Sequence, residues 1–133
     1  MKTTIKQRAR DLSKRINEAI KSGAFKLSGG YLKQLSGRRH CEGCALASAA
    51  YVFGGAPERP PALDGRFGIG YKDRGACLDA VSPSITRRDA AQLEMGFERW
   101  AEFRDHVGRV EVEARHGHPF YKLGRRLRAR RDR

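Results

Sequence analysis

Between residues 4 and 22, apolar side chains return at helical spacing. Ile5, Ala9, Leu12, Ile16 and the Ala19/Ile20 pair share one face. Thr4 with Gln7 has the form of a capping box, and Gly23 is a natural stop, so the pattern predicts a helix over 4–22. Phe25, Leu27, Tyr31, Leu32 and Leu35 surround a Ser28-Gly29-Gly30 turn, which predicts a turn and a short helix at 30–36. From Gly43 to Phe53 the chain is small and apolar almost all round, as expected of a helix at the centre of a fold. Residues 54–78 are rich in Gly and Pro and read as a long irregular loop.

A further helix starts at Ser82-Pro83, or at Thr86 with Asp89. Leu93, Phe97, Trp100, Phe103 and Val107 keep helical spacing, so it is expected to run to about His106. Gly96 in its middle marks either a close helix–helix approach or a bend. Val110 and Val112 alternate with Glu111 and Glu113, the pattern of a short strand whose partner the sequence does not reveal. His118-Pro119 opens a last helix, with Phe120, Leu123 and Leu127 inward and Arg125, Arg126, Arg128 and Arg130 outward. The pattern predicts a mainly α fold. Residues 1–121 form one compact domain of four or five helices, with the Gly/Pro-rich central loop and a short β-hairpin. Residues 122–133 form an Arg-rich extension of the last helix.

Charge changes this picture more than composition does. The formal net charge is +13. Residues 1–39 hold 11 basic and 2 acidic side chains, residues 40–121 hold 10 and 12, and residues 122–133 hold 7 and 1. The middle is near neutral and the excess lies at the two ends, well beyond what solubility requires, which points to a polyanionic partner. On the first helix Lys6, Arg10 and Lys14 fall four residues apart in one stripe, joined further along by Lys21. Arg38 and Arg39 add charge before the central helix. At the C-terminus, LGRRLRARRDR supplies Arg125, Arg126, Arg128, Arg130 and Arg131, whose planar guanidinium groups suit phosphate. No stretch approaches the roughly 18 apolar residues of a membrane span, and the N-terminus has no apolar signal core. With three cysteines, an odd number, the chain reads as a cytoplasmic protein with no membrane partner.

Candidate chemistry centres on HCEGCALASAAY at 40–51. Cys41 and Cys44 have the spacing of half a structural zinc site, which Cys77 and His118 (or His116) would complete. A redox pair needs a strand before the motif and a helix after it, and only the helix is evident. A helix N-terminus would lower the pKa of Cys44. The plainest reading makes Cys44 and Cys77 small buried hydrophobes and leaves the protein without a cofactor. The GRFGIGYKDRG stretch at 65–75 lacks the glycine spacing of a dinucleotide fingerprint. Phe67, Tyr71, Lys72 and Arg74 have the residue types that stack on bases and meet phosphates, whereas Phe67 and Ile69 could equally fill the body of the protein. Asp64, Asp73 and Asp79 read as turn residues.

The order of basic amphipathic helix, Gly-rich turn and Cys44-Ala45-Leu46 opening a small-residue helix resembles uncharacterised small proteins of phages and actinobacteria. The resemblance covers about the first 55 residues. In those proteins the stretch continues Gly-Ala-Leu, whereas here Ala47-Ser48-Ala49 follows. It implies a mobile-element origin and carries no catalytic residue. The sequence therefore predicts a non-enzymatic nucleic-acid-binding protein that contacts the phosphate backbone of DNA or RNA. The alternative is a phage anti-defence inhibitor of the anti-CRISPR type, bound to an acidic protein or ribonucleoprotein surface.

Overall fold

The computed structural model describes residues 3–29, 33–34, 41–54, 74–82, 84–104 and 108–133, and these form a mainly α protein. Helix α1 spans Ile5–Lys21, α2 Ala45–Gly54, α3 Arg74–Val81, α4 Arg87–Glu98 and α5 Pro119–Arg131. Strands β1 (Phe25–Leu27), β2 (Lys33–Gln34) and β3 (Cys41–Gly43) form one small sheet in the order β1-β3-β2. Strands β4 (Glu102–Arg104) and β5 (Glu111–Glu113) form a second sheet. β1 runs parallel to β3, whereas the β2–β3 and β4–β5 pairs are antiparallel.

Local chemistry accounts for the ends of α1. The Thr4 hydroxyl accepts from Gln7 N, and the Gln7 side chain accepts from Thr4 N, closing the capping box. Gly23, at φ +79°, takes the left-handed turn that releases the chain toward β1. Ala9, Leu12 and Ile16 are buried. Ile5, at the outer end of the same stripe, is 39% exposed and lies off the core.

Helix α2 is the centre of the fold. Every residue from Ala45 to Ala50 is buried, and the helix touches α1, α3, α4 and α5. Helices α4 and α5 make the most extensive helix–helix contact, and two glycines permit it. A Cβ at Gly96 would collide with the Tyr121 carbonyl, and one at Gly124 with the Leu93 carbonyl. Of the two roles expected for Gly96, the close approach is the one observed.

Three expectations are corrected. The helix expected to reach about His106 ends at Glu98, where Arg99 takes a left-handed φ of 62° and both Arg99 and Trp100 donate to the Met95 carbonyl. Phe103 is buried from strand β4 instead, and β4 is the partner that the Val110–Val112 strand lacked in the sequence. Nothing in the spacing of Leu93, Phe97, Trp100 and Phe103 announces the break, because an alternating strand can continue a helical rhythm for one more turn. Second, residues 33–34 are paired with β3 and are not part of a helix at 30–36. Third, residues 74–78, assigned to the irregular loop, lie in α3, whose Cys77, Leu78 and Val81 are buried. The rest of that loop, with Phe67, Tyr71, Asp64 and Asp73, lies outside the described residues, as do Arg38, Arg39, His40 and His106.

Candidate nucleic-acid interface

The two basic ends of the sequence meet in space. Helices α1 and α5 are in contact, and a groove of about 240 Å³ runs between them. Lys6 and Arg10 line it from α1, and Lys122 and Arg126 from α5. Among the described residues its remaining lining is Ala9, Ser13, Gly117 and Pro119, with no carboxylate and no aromatic ring. Each cation pair is four residues apart, one helical turn, or about 6 Å along the axis. Lys14 continues the α1 row, and Arg125 lies beside Arg126. Lys6, Arg10, Lys14, Lys122, Arg125 and Arg126 are all exposed, and among the described residues none has an ion pair.

A buried carboxylate fixes the spacing of the groove walls. Asp89, at the start of α4, lies 3.4 Å from an Arg8 Nη of α1 and 3.3 Å from His118 Nε2. Its position is set by Thr86, whose hydroxyl caps α4 by accepting from Asp89 N. His118 is the N-cap of α5, and its Nδ1 accepts from Phe120 N at 3.1 Å. That bond places the imidazole proton on Nε2, facing Asp89. Burial lowers the His118 pKa from its ordinary value, Asp89 opposes this, and Arg115 adds to the lowering. One carboxylate thus ties α1, α4 and α5 together beside the groove.

The remaining C-terminal arginines have intramolecular partners. Arg128 donates to the Phe97 carbonyl at 3.0 Å and to Asp132 at 3.2 Å, and so covers an end carbonyl of α4. Arg131 pairs with Asp132 at 3.0 Å, and its guanidinium lies 5.3 Å from the centre of the Phe97 ring. Arg130 donates to the Asn17 side chain of α1. Of the five arginines that the sequence singles out here, Arg125 and Arg126 face solvent, and Arg128, Arg130 and Arg131 join α5 to its neighbours. Lys122 went unnoticed in the sequence, although it stands one turn before Arg126. Arg8 and Asp89 were missed because a pairing 81 residues apart leaves no local pattern.

The cysteine motif takes a different role. The Cys44 thiol is buried, donates to Glu94 Oε2 at 3.2 Å and accepts from Ala47 N at 3.4 Å, which closes the first turn of α2. Burial, aided by the nearby Glu94 carboxylate, pushes its pKa well above the ordinary value. The lowering expected from the helix N-terminus is overturned, because desolvation outweighs it. Cys77 is buried as well, and Cys41 belongs to β3. His118 is committed to Asp89 and to its cap, and among the described residues no three His, Cys, Asp or Glu side chains converge in a metal-holding group. Of the expected Cys41, Cys44, Cys77 and His118 set, the described thiols of Cys44 and Cys77 lie near each other in the core, and His118 faces Asp89 instead.

A larger cleft of about 620 Å³ follows the β4–β5 hairpin, but Glu102, Glu111 and Glu113 line it, and Arg104 is paired with Glu111 at 2.6 Å. The charge of its described lining is unsuited to an anion. No helix among the described residues is long and apolar enough to cross a membrane. No protein-family model, curated protein or solved structure matches the chain. The likeness to phage and actinobacterial proteins rests on its motif alone.

Proposed function

We propose that this protein binds nucleic acid through its phosphate backbone, without catalysis, using the groove between α1 and α5. The observation that carries this reading is the convergence of Lys6, Arg10, Lys122 and Arg126, from opposite ends of the chain, around one groove in which no described lining residue is a carboxylate. Four cations brought together with no ion pair among the described residues repel one another, and phosphate oxygens relieve that repulsion. Contact with phosphates releases condensed counterions, so affinity depends steeply on salt. Fluorescence anisotropy of labelled nucleic acid with the purified full chain tests the proposal. Binding should weaken by about tenfold or more between 50 and 200 mM salt. Absence of binding at low salt, with recovery of the chain in complex with an acidic protein instead, would favour the inhibitor reading.

A further inference from the structure

We infer, resting on the phosphate-binding reading above, that Asp89 is a positioning residue for the α1/α5 groove. It meets no phosphate itself and holds the two rows of cations at the separation that one phosphate backbone bridges. Asp89, Arg8 and His118 do not line the groove, and the Asp89 side chain is only 7% exposed. The two partners of Asp89 belong to opposite walls. Arg8 stands between Lys6 and Arg10 along α1, and its other Nη donates to the Thr3 carbonyl at 2.8 Å, so the guanidinium is held from two sides. His118 leads directly into α5. Its carbonyl accepts from Lys122 N at 3.0 Å, and its Nδ1 accepts from Phe120 N. Each partner meets a different carboxylate oxygen, Arg8 at Oδ2 and His118 at Oδ1. The Thr86 cap holds Asp89 N, so both oxygens are presented from a fixed point on α4.

Charge and position make opposite demands on Asp89. By charge alone, removing this carboxylate raises the net charge of +13 by one unit and strengthens attraction to a polyanion. By position, its removal lets one wall move against the other. Two groups held rigidly at the right separation bind one ligand more tightly than the same groups moving independently, without any new contact. Asparagine separates the two effects. Arg8 and His118 both donate, and the amide keeps one accepting oxygen, so Asp89→Asn retains one link and loses the other. Arg8 is distinguished in another way. A cation that meets a phosphate takes about 0.9 from the logarithmic salt slope on a duplex when it is removed, whereas a cation that only positions its helix leaves the slope as it was.

The experiment is fluorescence anisotropy of a labelled mixed-sequence duplex with the full chain at about 0.1 M salt, extended to a salt series. It compares the native protein with Asp89→Asn, Arg8→Gln and the control Asp79→Asn. Asp79 is an exposed carboxylate paired with Arg87, so its substitution makes the same charge change without touching the link. Circular dichroism and denaturant unfolding check that each variant is folded. Asp89→Asn is expected to bind about fivefold or more weakly than the native chain, the scale of a coupling between sites. Asp79→Asn is expected to bind no more weakly than the native chain, and Arg8→Gln to lose affinity at an unchanged slope. Folded Asp89→Asn that binds as tightly as the native chain, or more tightly, overturns the positioning role and leaves the phosphate-binding reading standing. Arg8→Gln decides the matter where Asp89→Asn does not fold. A slope shallower by about 0.9, or an unchanged affinity, overturns the inference there. Absence of binding by the native chain overturns both readings.

Discussion

His118 Nε2 lies 3.3 Å from Asp89 while Nδ1 of the same ring accepts the backbone N–H of Phe120. The ring holds this geometry only when neutral at Nδ1, and burial lowers its pKa below the ordinary 6.5. The unfolded chain therefore takes up this proton at a higher pH than the folded chain. The contribution of His118 to stability is full above about pH 6.5 and is lost as pH falls through the lower folded pKa. Chemical denaturation at successive pH values should show this decline. His118→Asn keeps an N-cap acceptor and removes the titration, so it should flatten that part of the profile.

Gly124→Ala should destabilise the protein even though alanine is the better helix former. The helix-propensity gain is about 1 kcal/mol. Against it stands a collision with the Leu93 carbonyl, which no side-chain rotation relieves. Overpacking of this kind costs about 1–3 kcal/mol, and more where backbone must move. The guanidinium-chloride midpoint should fall, as it should for Gly96→Ala. A rise would mean that α4 and α5 are not in backbone contact.

The C-terminal arginines should separate into two groups. Arg128→Ala removes a hydrogen bond to the Phe97 carbonyl and packing over the Phe97 ring, and should cost about 1–2 kcal/mol. Arg126→Ala removes an exposed cation and should change stability by less than about 0.5 kcal/mol while weakening nucleic-acid binding. Thermal melts and binding titrations on both variants check the division.

Cys44 should be unreactive in the native state. Its thiol is buried against Glu94 and its pKa is raised, so little thiolate exists at neutral pH. Alkylation at Cys44, followed by peptide mass mapping, should be at least about 100-fold slower in the folded chain than in denaturant. Rapid native labelling would contradict the burial.

These results show which parts of the molecule the sequence could reveal. Helix α1 was legible because its cap, its apolar stripe and Gly23 agree. Helix α5 was legible from His118-Pro119 and the spacing of Phe120, Leu123 and Leu127. The end of α4 was not, because Phe103 is buried from a strand at a position that also fits a helix. The basic character of the site was visible as charge at both ends of the chain. Its assembly was not, since the contact of α1 with α5 and the Arg8–Asp89–His118 link are tertiary. The sequence also could not sort Arg126, which faces the groove, from Arg128, whose partner is a carbonyl on another helix.

The central claim is that cations of α1 and α5 act together on one phosphate backbone. The slope of log affinity against log salt for a duplex, measured for the native chain and for Lys6→Gln with Arg126→Gln, tests it most directly. Each lost phosphate contact lowers the slope by about 0.9, so the double variant should show a slope shallower by about 1.8. An identical slope in both proteins, or native binding that does not respond to salt, would contradict it.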